Sequence, residues 1–237
     1  LTVGGGIRTL KDFSKALSSG ADKVAVNTAA CHNPDLVENA AKTFGSQCVV
    51  VSIDVFRHKD GKLEVYVDGG STPTGLDPSE WAKRAEDLGA GEIFLNSIDR
   101  DGSGWGYDVE LIKGVAESTN IPVIACGGVG KYEDFPVGVL EGGANAVAAA
   151  NIFHFYELAY PFGKKACLEA GIKMRDVKLN SRWFQREPTY DLESEKSRMQ
   201  ERLQRAKKNQ GPKQFVFYSS TFRNVVAFLV YSAMFGN

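Results

Sequence analysis

Two aspartates close apolar runs in the same way: Asp54 follows "CVVVSI" and Asp99 follows "EIFLNSI". A β-type run that ends in a carboxylate aims the carboxyl at whatever lies beyond the strand. Partial burial there raises its pKa toward neutrality, the range in which a carboxyl serves as general acid or base. A single carboxylate at such a place is more often a helix cap or an ion-pair partner, so the second pattern carries weight. Gly5-Gly6 and Gly127-Gly128 each stand between an apolar run and a helix start. Glycine lets backbone N–H groups come close to an anion, and a helix N-terminus just beyond adds its dipole. Two such loops at one mouth, with carboxylates between them, describe a long substrate carrying a phosphate at each end.

The two glycine loops belong to a longer repeat. Gly5-Gly6-Ile7 stands opposite Gly127-Gly128-Val129 and Asp12-Phe13 opposite Asp134-Phe135, at a constant offset of 122 residues. After a one-residue insertion, Ala21-Asp22-Lys23-Val24-Ala25 falls opposite Ala144-Asn145-Ala146-Val147-Ala148. Any strand-Gly-Gly-helix unit resembles another, but strands, loops and helix held in one register point to duplication. Around the repeat, short β-branched runs alternate with amphipathic stretches of helical length. The strands expected are Leu1–Val3, Lys23–Val26, Cys48–Ile53, Glu92–Ser97, Val123–Cys126 and Ala146–Ala149. Helix starts are marked by Thr9 with Asp12, by Asn33-Pro34 as N-cap and first position, and by Asp77-Pro78. "VFRHKDGKLEVYVDGG" alternates about Asp60-Gly61 and reads as an inserted β-hairpin. Strand-helix alternation means parallel pairing, which closes as an eight-stranded barrel or stays open as a doubly wound sheet. Matching glycine loops in two halves favour an α/β fold of the (βα)8 barrel type, with six of eight strands in view and two expected before Leu1.

Composition narrows the functional classes. With 43% hydrophobic and 24% charged residues in 237, the chain is globular rather than disordered. Its four cysteines and three histidines show neither disulfide nor metal spacing, so no metal or cofactor is expected, and a reducing, cytoplasmic setting fits. Residues 1–179 hold 18 Lys+Arg against 24 Asp+Glu, and residues 180–213 hold 9 against 5. That division separates a partial barrel (1–179) from a C-terminal extension (180–237), but it is too mild to argue for nucleic acid. Within the extension, 191–208 reads as a basic helix with a thin apolar stripe. Residues 215–235 are apolar with Arg223 as the one charge, and read as a protein-packed segment rather than a membrane span.

"TVGGGIR", "GADKVAVNTAA", "FGSQCVVVSID", "LGAGEIFLNSIDRDG", "IPVIACGGVGK" and "AAANIFHF" together resemble, in sequence and order, the cyclase subunit of imidazole glycerol phosphate synthase, the HisF family, from Leu1 to about Arg175. The resemblance implies a (βα)8 barrel that takes ammonia from a glutaminase subunit. It would cleave and cyclise a bis-phosphorylated ribulosyl intermediate to imidazole glycerol phosphate and aminoimidazole carboxamide ribotide. Asp54 matches one catalytic aspartate of the family, and the other belongs to the first barrel strand. One phosphate is assigned by resemblance to the loop of Gly5 and Gly6 with Asn27 and Thr28. The other is assigned to Asp101, Gly102, Gly127, Gly128, Ala150 and Asn151. Lys23 and Glu92 match two of four charged residues ringing the ammonia entrance.

Asn96, Cys126 and Asn151 stand where the histidine-pathway enzymes are expected to carry threonine, serine and serine; Asn96, Asp99 and Cys126 are placed at the active-site mouth. These departures resemble a sister branch associated with amidation of surface-polysaccharide sugars, a non-catalytic ammonia relay, which stands as the alternative. Without the first aspartate, and with no Asp or Glu in 213–237 to replace it by permutation, the chain is expected to be inactive alone.

Overall fold

A computed structural model gives the fold; it describes residues 1–155 and 159–174. The elements run β1 (Thr2–Gly4), α1 (Leu10–Ser18), β2 (Lys23–Val26), α2 (Thr28–His32), α3 (Asp35–Phe44), β3 (Val49–Arg57), β4 (Leu63–Val67) and β5 (Thr72–Pro73). They continue with α4 (Pro78–Asp87), β6 (Glu92–Ser97), α5 (Val109–Ser118), β7 (Val123–Cys126), α6 (Asp134–Leu140), β8 (Ala146–Val147), α7 (Ile152–Phe155) and α8 (Ala159–Glu169). The expected basic helix and apolar segment of the C-terminal extension lie outside the described residues.

Six strands pair in parallel in the order β1-β2-β3-β6-β7-β8, and the β4–β5 hairpin joins the sheet antiparallel to β3. Order in space follows order in sequence, without the reversal that defines a doubly wound sheet. The fold is therefore of the (βα)8 barrel type. The duplication is visible in the elements themselves. Displacing β1 by the sequence offset lands on β7, α1 on α6, and β2 on β8. The loop glycines take left-handed angles in both halves, φ 98° and 73° at Gly5 and Gly6, and 94° and 100° at Gly127 and Gly128.

The period of two along each strand sorts side chains onto two faces. One face carries Val51, Ile53, Ile93, Leu95, Val123 and Ala125, and packs with Phe13, Trp81, Leu111 and Phe135 from the helices into the main core. The other face holds a smaller apolar cluster of Ile124, Ala146 and Ala148 with Phe94 and Cys126. Polar side chains gather at both ends of this second face. Local signals place the helices that cover the first. Thr9 and Asp12 form a reciprocal capping box, and Asp77 Oδ1 accepts from the N–H groups of Ser79 (2.8 Å) and Glu80 (3.1 Å) with Pro78 next to it. At α3 the expectation differs from the structure: Pro34, not Asn33, is the capping residue, and no side-chain cap bond forms there.

The hairpin also alters β3. Its last residues gain a second partner in β4, with Asp54 opposite Tyr66 and Arg57 opposite Leu63, so the strand runs on to Arg57 instead of stopping at Ile53.

Gly127 and Gly128 are demanded by packing as well as by backbone angle. A Cβ on Gly128 would lie 2.1 Å from Gly106 O and one on Gly127 2.5 Å from Ser97 O, whereas one on Gly6 would meet nothing within 4 Å. Gly128→Ala is therefore expected to destabilise the protein by roughly 2–4 kcal/mol, against about 1 kcal/mol for Gly6→Ala, in urea denaturation. Equal losses at the two positions would show that the close approach to Gly106 contributes nothing.

Candidate active site

Asp54 lies inside β3, not beyond its end, on the face that carries the smaller apolar cluster. Parallel register sets it beside Asn96 of β6, and Asn27 comes up from the end of β2. Asn27 Nδ2 donates to Asp54 Oδ2 at 2.8 Å and Asn96 Nδ2 donates to Oδ1 at 3.2 Å. Burial pushes the Asp54 pKa up to about 6; the Asn96 amide opposes this, the negative charge of Asp101 adds to it, and the Asn27 amide opposes it more weakly. The amide oxygens of both asparagines, Asn27 Oδ1 and Asn96 Oδ1, are buried and have no hydrogen-bond partner.

Asp99 does not join this group. Its Oδ1 accepts from Ser97 Oγ at 3.1 Å and from the Arg57 N–H at 3.4 Å, which fastens the loop after β6 to the end of β3. Asp99, expected at the mouth, is thus engaged by the loop after β6 and the end of β3. Extension of β3 through Arg57 brings a backbone donor to Asp99, and the carboxylate that acts on Asp54 is Asp101, at the rim. Crowding by the surrounding loops raises the Asp101 pKa, opposed by the Gly102 N–H. Cys126 shares the mouth, but burial, with Asp101 and Asp54 nearby, drives its thiol far above the usual range. Burial thus holds it in the neutral thiol form.

Of the two glycine loops, the second borders a shallow open recess. Asp101, Gly127, Gly128, Val129, Ala149, Ala150 and Asn151 line an open space of ≈ 160 Å³. Gly102, φ 74°, sits in the adjoining turn. Around the first loop the expected residues are partly engaged. Asn27 is given to Asp54, and Thr28 Oγ1 accepts from the N–H of Asp68 at 3.0 Å, anchoring the β4–β5 turn. Gly5 and Gly6 remain exposed there. At the opposite end of the same face, Lys23 Nζ is hydrogen-bonded to Glu92 Oε1 as a partly buried ion pair.

The sequence profile of the histidine biosynthesis protein family matches residues 1–159. Over 175 residues the chain is 50% identical to the imidazole glycerol phosphate synthase subunit HisF of Alkaliphilus metalliredigens, covering 74% of this chain and 69% of that protein. The chain belongs to the histidine biosynthesis protein family.

In this family member several site residues escaped the sequence reading. Arg57 grips Asp108 through two bonds, Nε to Oδ2 and Nη2 to Oδ1, both 2.9 Å, and Asp108 Oδ1 also caps α5 at Leu111. Arg100 reaches the carbonyl oxygens of Gly106 and Tyr107, holding the loop that Gly128 packs against. Phe56, His58 and Tyr66 form a cluster of rings beside Asp54, with centroids 5.2 to 6.2 Å apart. The one signal that reveals the rings is the hairpin: once it is drawn, Tyr66 and Phe56 fall on Asp54's face.

An unfolded aspartate loses its proton near pH ~3.9, while Asp54 in the folded chain does so at about 6. Between these values the folded state keeps the extra proton, so stability declines as pH rises through that window and stays lower above it. Asp54→Asn keeps the shape and removes the charge. It should be more stable than the parent by about 1–2 kcal/mol near pH 7.5, partial solvent access reducing the full effect, with the difference fading below about pH 4. Urea denaturation at both pH values checks this, and a pH-independent difference would contradict it.

Proposed function

We propose that the chain acts as a HisF-type cyclase subunit of imidazole glycerol phosphate synthase. It would use ammonia to cleave and cyclise a bis-phosphorylated ribulosyl aminoimidazole carboxamide intermediate into imidazole glycerol phosphate and aminoimidazole carboxamide ribotide. The observation that carries this reading is Asp54. It is a buried carboxyl with a pKa of about 6, held by two neutral amides at a mouth that also bears two left-handed glycine loops. Close to neutrality such a group exists in both forms, so it can give a proton to a leaving nitrogen or oxygen and take one from an attacking amine.

The glycine loops would bind the terminal phosphates, the recess at Gly128 and Asn151 one of them and the loop at Gly6 with Asn27 and Thr28 the other. Binding both ends fixes the intermediate across Asp54 and converts its cyclisation into a positioned, unimolecular step. The relative from Alkaliphilus is named as a subunit. We assign the partner as a glutaminase, with Lys23 and Glu92 as part of the ammonia entrance at the far end of the barrel face. The family and relative matches favour histidine biosynthesis over the sugar-amidation alternative.

Two measurements test the assignment in the full-length protein. Asp54→Asn should lower turnover of the bis-phosphate, with ammonium supplied in place of a glutaminase, by roughly 10²-fold or more while the protein stays folded; unchanged turnover would return Asp54 to a structural role. Calorimetric titration should show tighter binding of the bis-phosphate than of either mono-phosphate half. Equal affinity for all three would remove the two-phosphate reading.

A further inference from the structure

Buried carbonyl oxygens normally have donors, because burying an unpaired acceptor is costly. The mouth breaks that rule twice within one hydrogen-bonded group, at Asn27 Oδ1 and Asn96 Oδ1. Both side chains have their orientation set by Asp54. Each donates its Nδ2 to a different carboxylate oxygen, so neither can turn its oxygen inward without giving up a charge-assisted bond. The available cations are committed elsewhere: Lys23 to Glu92, Arg57 to Asp108 and Glu110, and Arg100 to Asp108 and the carbonyls of Gly106 and Tyr107. Asp54 therefore receives a donor from each asparagine, while the two amide oxygens, Asn27 Oδ1 and Asn96 Oδ1, meet no donor among the described residues. Asn96 Oδ1 lies against the second glycine loop, 3.1 Å from where a Gly127 Cβ would stand, so the absence of a side chain at Gly127 leaves the oxygen its place.

We propose that Asn27 and Asn96 are an acceptor pair that binds and orients a nitrogen ligand carrying at least two N–H bonds at Asp54. The proposal rests on the ammonia-using reading above and deepens it. Free ammonia has three N–H donors and one lone pair. Donating two of them to the asparagine oxygens holds the molecule beside the carboxyl while leaving the lone pair unshared and able to attack. The amino and carboxamide groups of an aminoimidazole carboxamide offer the same N–H chemistry. In either case Asn96 is a positioning residue with two functions, its nitrogen fixing the carboxylate and its oxygen fixing the ligand. An apolar residue there would lose both.

The side-chain amide resonances of Asn27 and Asn96 report directly on the pair. In the full chain they are followed by ¹⁵N-edited NMR during titration with ammonium chloride, with aminoimidazole carboxamide ribotide, and with tetramethylammonium chloride at matched ionic strength. Saturable shifts with ammonium alone assign the pair to ammonia, and shifts with the ribotide alone assign it to the substrate. Silence in both, or an equal response to tetramethylammonium, which has charge but no N–H, overturns the proposal. In Asn96→Leu, of similar size and with an unchanged backbone spectrum, the response at Asn27 should weaken by roughly tenfold or more. In ammonium-driven turnover, the same variant should raise the KM of whichever ligand is bound and leave the other unchanged. Turnover that is present while the amides stay silent removes only the acceptor pair. Absent turnover with responding amides removes the reaction assigned above and leaves the pair standing.

Discussion

Parallel pairing of β3 with β6, in the register Val50↔Glu92 through Val55↔Ser97, places Asp54 beside Asn96 and at the same time turns Glu92 toward Lys23. Every polar feature of the inner face depends on that alignment. A slip of one residue would carry Asp54 and Asn96 into the helix-packed core and bring Ile53 and Leu95 to the mouth. The core prevents it. Ile53, Val55, Ile93 and Leu95 are at most 1% exposed, and each would be moved out of its packing by the slip. Burial of the apolar face is thus what fixes the chemistry of the polar one. Glu92 and Asn96 are four residues apart on one strand, a rise of about 13 Å, so the ion pair and the carboxyl sit at opposite ends of the same face.

The glycine loops show how duplicated halves take on different duties. Their backbone angles agree, yet the second loop is pressed against the turn after β6, with Gly106 N–H donating to Gly128 O at 2.8 Å, and the first is open. The β6 turn is in turn held by Arg100, by Asp99 and by the Arg57–Asp108 pair. The second glycine loop therefore rests on a braced scaffold that begins in β3, the strand that carries Asp54. The first loop lacks that bracing and takes its neighbour, Asn27, from the same carboxyl.

The sequence carries local instructions well. The Thr9–Asp12 capping box, the strand cores and the repeat could be read because each depends on residues within a few positions of one another, or on a pattern that recurs. What was not legible depends on distance along the chain. The Arg57 N–H that engages Asp99 comes from 42 residues earlier. That the Asn27 amide also reaches Asp54 shows only once β2 and β3 come together. The extension of β3 could have been foreseen from the hairpin, since the strand that pairs with Leu63–Val67 must continue past Asp54. The Arg57–Asp108 pair, 51 residues apart, leaves no trace in periodicity.

The choice of asparagine on both sides of Asp54 has a physical logic. An arginine in place of Asn96 would offer two charged donors and hold the carboxylate ionised far below neutrality, leaving it unable to donate a proton. An apolar residue would remove the stronger of the two opposing amides and push the carboxyl's pKa further up. Neutral amides stabilise the anion by less than a full charge would. Against the burial of the site and the repulsion from Asp101, they leave Asp54 balanced near 6. The same neutrality leaves two carbonyl oxygens at the mouth that a guanidinium, which has no acceptor, would not provide. Tuning the acid and presenting acceptors to a nitrogen ligand are therefore two outcomes of one pair of side chains, and a substitution at either asparagine must disturb both.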